Sequence, residues 1–268
     1  MTDIKYTTAN LEDKQDLISL WNTVFEDSIE YIENFMNYNF NSENIIVAKY
    51  KEKIVSAYYF IPVNFENHSA YYLYAAATLP EYRKMGIMGE LLKYGMNLAQ
   101  KRKIRFVLLS PANESLYNYY EKFGFKTVFY IKRYLLNLSE YEKISESLSE
   151  YNLKKIIDLR EKSLADIPHV SFNEKIFEYL ISESKLTQSK ILISDNAYIY
   201  FDENLKTLHI KEYFPFNAIF PKNKAKEVIL DLPLNINFEH KYEKIPQGML
   251  IDFENKFNKD AYLGITMG

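Results

Sequence analysis

The chain has 268 residues, a formal net charge of −3, 47% hydrophobic and 26% charged residues, and no cysteine. That length predicts one large or two smaller domains with a sizeable core, and the acidic balance argues against a protein built to coat nucleic acid. The lack of cysteine excludes a disulfide framework, a Cys-based metal site and acyl transfer through an enzyme-bound thiolate, and no metal site is expected. No apolar run reaches the length of a membrane span or a signal h-region, so a cytoplasmic protein with no membrane partner is expected.

Two helices are expected at 11–22 and 28–39. Leu17, Leu20, Trp21, Val24 and Phe25 form one apolar stripe, Ile29, Ile32, Phe35 and Met36 another, and Asp27 or Ser28 suits the second N-cap. Glu26, Asp27, Glu30 and Glu33 on these helices could attract a cationic amine, but a charged helix face is usually a solvated one, and they are read as such. Residues 45–48 and 54–61, separated by Lys51-Glu52-Lys53, read as an antiparallel pair feeding a buried strand at 72–78, which stops before Pro80.

After that strand, Leu91, Leu92, Gly95, Met96 and Ala99 recur at helical spacing, so a helix begins near Gly86, and Lys101-Arg102-Lys103 reads as its solvated end. Only 7 glycines occur in the chain, and Gly86 and Gly89 lie three apart where the strand turns into this helix. Glycine lets backbone N–H groups approach an anion, and the helix N-terminus adds partial positive charge, so the junction suits a phosphate with Arg83 and Lys84 as mobile cations. The same residues fit a plain tight turn. A second buried strand at 104–109 follows, then a short helix from Asn113 that ends at Gly124.

Taken together, Arg83-x-x-Gly86-x-Met88 and Asn113 with Tyr120-Glu121-Lys122-Phe123-Gly124-Phe125 make residues 1–138 resemble the GNAT acetyltransferase superfamily. Met88 stands where that family has Gly or Ala, and Gly89 follows one position late. The Gly-Ile-Met form is similar to the bacterial Eis-like subgroup, which has an added C-terminal domain. The resemblance implies an α/β fold with a mixed sheet, acetyl-CoA as co-substrate, and a small-molecule or protein amine as acceptor. It implies that Ala76, Ala77, Thr78 and Asn113 hold the pantetheine arm, while Arg83, Lys84, Met85, Gly86, Ile87, Met88 and Gly89 form the phosphate turn. Tyr120 becomes the general acid by motif register, with Tyr117 and Tyr119 as competing candidates. His68, His169, His209 and His240 form no recognisable constellation, and no base is assigned among them.

The polar stretch 137–152 is the expected boundary, giving a catalytic domain at 1–138 and a second domain at 150–268. Helices are expected at 153–164 and 173–184, and strands at 190–194, 197–201, 207–214 and 236–238. That order repeats the first half in shorter form, so the second domain reads as a degenerate GNAT-like α/β domain. It lacks Arg-x-x-Gly-x-Gly and is not expected to bind coenzyme. Late strands are expected at 248–253 and 262–266, and by the Eis-like resemblance the Gly268 carboxylate could serve as base. The rival function is a non-catalytic acyl-CoA-binding or regulatory module. Aminoacyl transfer from tRNA is disfavoured for want of a basic surface.

Overall fold

Asn10, Ser28, Asn41, Asn152 and Asn173 each precede a helical turn and accept a backbone N–H with the side chain, so several helix starts are fixed locally. The computed structural model describes residues 3–141, 143–144, 152–193, 197–204, 206–221 and 224–266. In chain order the first half carries β1 (Ile4–Thr8), α1 (Lys14–Phe25), α2 (Ile29–Asn39), β2 (Ile45–Tyr50), β3 (Lys53–Phe65) and β4 (His68–Thr78). It continues with α3 (Ile87–Lys101), β5 (Phe106–Leu109), α4 (Glu114–Glu121) and β6 (Lys126–Asn137). The second half has β7 (Lys143–Ile144), α5 (Leu153–Ser163), β8 (Val170–Ser171), α6 (Glu174–Ser184), β9 (Ser189–Ile193) and β10 (Tyr198–Glu203). It ends with β11 (Thr207–Phe214), β12 (Phe220–Pro221), β13 (Glu227–Leu232) and β14 (Tyr242–Asp252).

These elements form two compact units, Met1–Thr127 with Met249–Phe257, and Val128–Gly248 with Asn258–Gly268. The division therefore departs from the expected 1–138 and 150–268. The reason is reciprocal strand pairing. Residues Lys132 to Asn137 of β6 pair antiparallel with β13, while Met249 to Asp252 of β14 pair antiparallel with β5. Each unit is completed by a strand from the other half of the sequence.

In the first unit β1, β2, β3 and β4 form an antiparallel meander, β4 runs parallel to β5, and β5 is closed by β14. The edge strand β1 was not anticipated because Lys5, Thr7 and Thr8 give it little apolar signal. Since successive side chains of a strand point to opposite faces, Tyr58 and Tyr59 meet different helices. Tyr59 and Tyr74 pack against Trp21 of α1 and Phe35 of α2. Tyr58 reaches α3, where its hydroxyl donates to the Leu91 carbonyl at 3.3 Å. A Cβ on Gly95 would lie 1.6 Å from that hydroxyl, so only glycine admits it. Arg102 is not a solvated helix end, because it donates to Asn44 Oδ1, the Tyr71 hydroxyl and the Glu43 carbonyl.

The second unit repeats the strand directions: β9, β10 and β11 are antiparallel, β11 is parallel to β13, and β13 is antiparallel to β6. On one face α6 brings Phe177 to Tyr198, and α5 brings the fully buried Arg160 to the fully buried Glu212. The opposite face is a core of Ile199, Leu208, Ile210, Val228 and Leu230, covered by Phe216, Ile236 and Phe238. Among the described residues, no helix joins β11 to β13 or β13 to β14, whereas the matching connections of the first unit are α3 and α4. Ile236 and Phe238 therefore belong to a covering loop and not to the expected strand, and β13 supplies the strand instead. The expected strand at 262–266 reduces to isolated bridges at Ala261 and Tyr262. Gly268, the candidate base, lies outside the described residues. No helix of the described chain is long and apolar enough to cross a membrane.

Candidate functional site

The first unit opens where two parallel strands part. The β4–β5 ladder covers only Ala70, Tyr71 and Tyr72 against Phe106, Val107 and Leu108, and β4 then continues to Thr78 without β5 beside it. Just past the ladder the β3–β4 register slips, so that Ala75 and Ala76 together face the single residue Tyr58, and Ala75 takes a positive φ of 48°. A bulge of this kind bends the strand and re-aims its backbone groups. The far side of the strand is held by Ser56, whose hydroxyl donates to the Ala77 carbonyl and shares a hydrogen bond with Thr78 Oγ1, both at 2.8 Å. Ala76, Ala77 and Thr78 thus lie on the strand edge that faces the opening.

The chain then turns through a short 3-10 segment into α3. Lys84 has φ 62° and Gly86, the N-cap, has φ 76°, and no side chain caps the helix. The N–H groups at a helix start lack intrahelical partners, so this start leaves backbone donors of the kind that can accept an anion. Arg83, Lys84, Met85 and Gly86 are exposed, Ile87 is buried and Met88 is half-buried. Arg83 Nε donates to the Thr78 carbonyl at 3.1 Å, which ties the turn to the end of β4. The two glycines have different reasons to be glycine. At Gly86 a Cβ would meet nothing within 4 Å, so the conformation demands it, whereas at Gly89 a Cβ would press on the Phe123 ring at 3.1 Å.

Phe123 follows α4, and Tyr120 on α4 is 7% exposed, packed edge-on against Tyr119 and Phe125. Burial, assisted by the neighbouring Tyr119, pushes the Tyr120 hydroxyl up to about 12. The phenol therefore keeps its proton throughout the neutral range. Asn113 occupies the N-cap position of α4 without capping it, and its Oδ1 accepts from Ser115 at 2.6 Å. The structure brings the β4 edge, the α3 turn and α4 into one unit. All four histidines have side-chain partners: Arg105 for His68, Glu161 for His169, Asp231 for His209 and Tyr141 for His240. The sequence reading missed the bulge and the role of Ser56, for which a small hydroxyl inside an apolar strand was the available signal.

The first unit thus brings together a parted parallel pair, a bulge, an uncapped glycine turn and a buried phenol. Residues 5–128 match the family model described as an acetyltransferase (GNAT) domain. No match was found among curated proteins. A probable N-acyltransferase from Enterococcus faecalis V583 shares the fold at a TM-score of 0.70 and 14% identity, covering 94% of this chain and 73% of that one. A GNAT protein from Anabaena variabilis gives 0.68 at 16% identity, covering 92% and 72%. Eis1 from Mycobacterium abscessus gives 0.65 at 8% identity, covering 94% and 74%. These likenesses span both units of the mixed α/β fold.

Proposed function

We propose that the protein transfers the acetyl group of acetyl-CoA to a primary amine by direct attack, with Tyr120 as general acid, in the manner of an Eis-like bacterial, cytoplasmic enzyme. The observation that carries the reading is the uncapped, glycine-conformed start of α3 directly following a bulged strand edge. On this reading the N–H groups of Gly86 to Gly89, with Arg83 and Lys84, hold the pyrophosphate, and the edge of Ala76 to Thr78 with Asn113 holds the pantetheine amides. The acceptor nitrogen, once neutral, forms the C–N bond at the thioester carbonyl. The tetrahedral intermediate collapses with cleavage of the C–S bond; the departing sulfur takes a proton from Tyr120, the nitrogen gives its surplus proton to solvent, and solvent returns a proton to the phenolate. A buried phenol near 12 is a weaker acid than a free one, but it is always loaded. The second unit, which among the described residues has no helix in the positions of α3 and α4, serves as a degenerate GNAT-like domain without coenzyme.

Acetyl-CoA calorimetry followed by thiol release over a panel of amines tests this. Micromolar binding with amine-dependent thiol release is expected, and Gly86→Val should weaken binding at least tenfold, because a β-branched residue at φ 76° is strained. Absence of a calorimetric response in the wild-type protein defeats the proposal.

A further inference from the structure

In the first unit the face of β4 that α3 does not cover is aromatic. Tyr74, the last residue before the bulge, is half-buried and lies 5.7 Å from Trp21 and 5.3 Å from Phe35, ring to ring. Trp21 in turn meets Phe25 edge-on at 5.9 Å, and Phe25 is 42% exposed at the end of α1. Ile29, 47% exposed, opens α2 four residues later. The polar edge of the indole is already used, since Trp21 Nε1 donates to Asp27 Oδ2 at 2.7 Å. What this corner offers outward is apolar.

Three exposed carboxylates, Glu26, Glu30 and Glu33, border the same corner, and none makes an ion pair among the described residues. An acceptor that reaches a thioester held along the β4 edge beside Tyr74 meets the end of α1 and the start of α2, the two helices that pack on that residue through Trp21 and Phe35. Apolar rings ringed by unpaired negative charge suit a cation with an apolar body. A polyhydroxylated amine would have to strip of water those of its hydroxyls that face the Phe25 and Ile29 side chains, which offer no hydrogen bond in return.

From this we infer that the acceptor is a cationic amine whose neighbouring group is aromatic or branched-aliphatic, recognised by Phe25, Ile29 and Tyr74, a specificity that rests on the acetyltransferase reading above. Steady-state kinetics with phenethylamine and glucosamine, two monoamines compared at equal concentrations of the neutral amine, provide the test. The expected result is a kcat/KM at least tenfold higher for phenethylamine. Phe25→Ala, at an exposed position where folding is not at risk, should erase most of that preference by raising the KM for phenethylamine, while the calorimetric affinity for acetyl-CoA stays within twofold. Glu30→Gln should lower kcat/KM for both amines alike. Equal or inverted preference in the wild-type protein, or a preference that survives Phe25→Ala, overturns the inference. Either outcome, obtained with acetyl-CoA still bound and some amine still acetylated, leaves the acetyltransferase reading intact, whereas loss of acetyl-CoA binding removes both.

Discussion

The Tyr120 hydroxyl decides how the catalytic reading fares. Tyr120→Phe keeps the ring against Tyr119 and Phe125, so turnover should fall by ~10²- to 10⁴-fold with acetyl-CoA affinity unchanged in calorimetry. In the wild-type enzyme the rate should climb with pH toward the ordinary amine range near ~10. No descending limb should occur below that, since burial raises the acid to about 12. A limb near pH 8 would assign the acid elsewhere. A second single-residue test lies at Gly264, which has φ 90° and whose absent Cβ would sit 2.3 Å from Arg160 Nη2 and 2.9 Å from Glu212 Oε1. Arg160 is fully buried and also donates to the Val170 carbonyl, and Tyr198 donates to Glu212, so this ion pair cannot move aside. Gly264→Ala should cost about 2 kcal/mol or more in denaturant unfolding, from backbone strain together with overpacking. At this scale the sequence was legible wherever a residue type has one physical use. Gly86 opens α3 and Tyr120 lies on the short helix α4, as their spacing suggested, and of the two N-cap candidates Asp27 and Ser28 it is Ser28 that caps α2. Gly264 was not legible, because the charge it admits comes from a residue about a hundred positions earlier.

Among the elements, the segment that closes β5 has its own anchor. Asp252 accepts from Arg105, and its carboxylate also takes the backbone N–H groups of Glu254, Lys256 and Phe257, while Phe257 packs on Phe65 and Phe106. Burial alone would raise the Asp252 carboxyl, but these hydrogen bonds outweigh it and hold the group well below the usual carboxylate range. A depressed folded pKa contributes stability that is complete above the unfolded value of ~3.9 and is lost as pH falls through the folded one. Asp252→Asn should therefore destabilise the protein at pH 7, and the gap between variant and wild type should narrow below about pH 4, as read from urea midpoints across pH. A constant gap would mean that the charge is not what matters. Helices were the easiest elements to foresee, since the 3.6-residue stripes of α1, α2, α3 and α6 are unbroken. Polar β1 hid from an apolar criterion, whereas β13 carries the apolar run Val228-Ile229-Leu230 and was passed over despite it.

For the whole molecule, strand order was the illegible part. Nothing in the residues of β6 or β14 says that β6 belongs beside β13, or that Met249 to Asp252 belong beside β5. Pairing across so long a stretch of chain leaves no local trace. It follows that the fragment 1–138 should not fold into a coenzyme-binding domain, since the β5 edge and the Arg105 charge lose their partners. Supplying a peptide of residues 242–257 should restore helical circular dichroism and acetyl-CoA binding in part. A fragment 1–138 that binds acetyl-CoA as tightly as the intact protein would contradict this. The same exchange bears on how the protein is born. On a ribosome adding ~5–20 residues per second, about 130 further residues must be made after Thr127 before the first unit receives Phe257, roughly 6–26 s during which its newest strand edge stays bare. The nascent first half is then a natural client for a chaperone that guards exposed strands, and the first unit cannot be complete until Phe257 has been made.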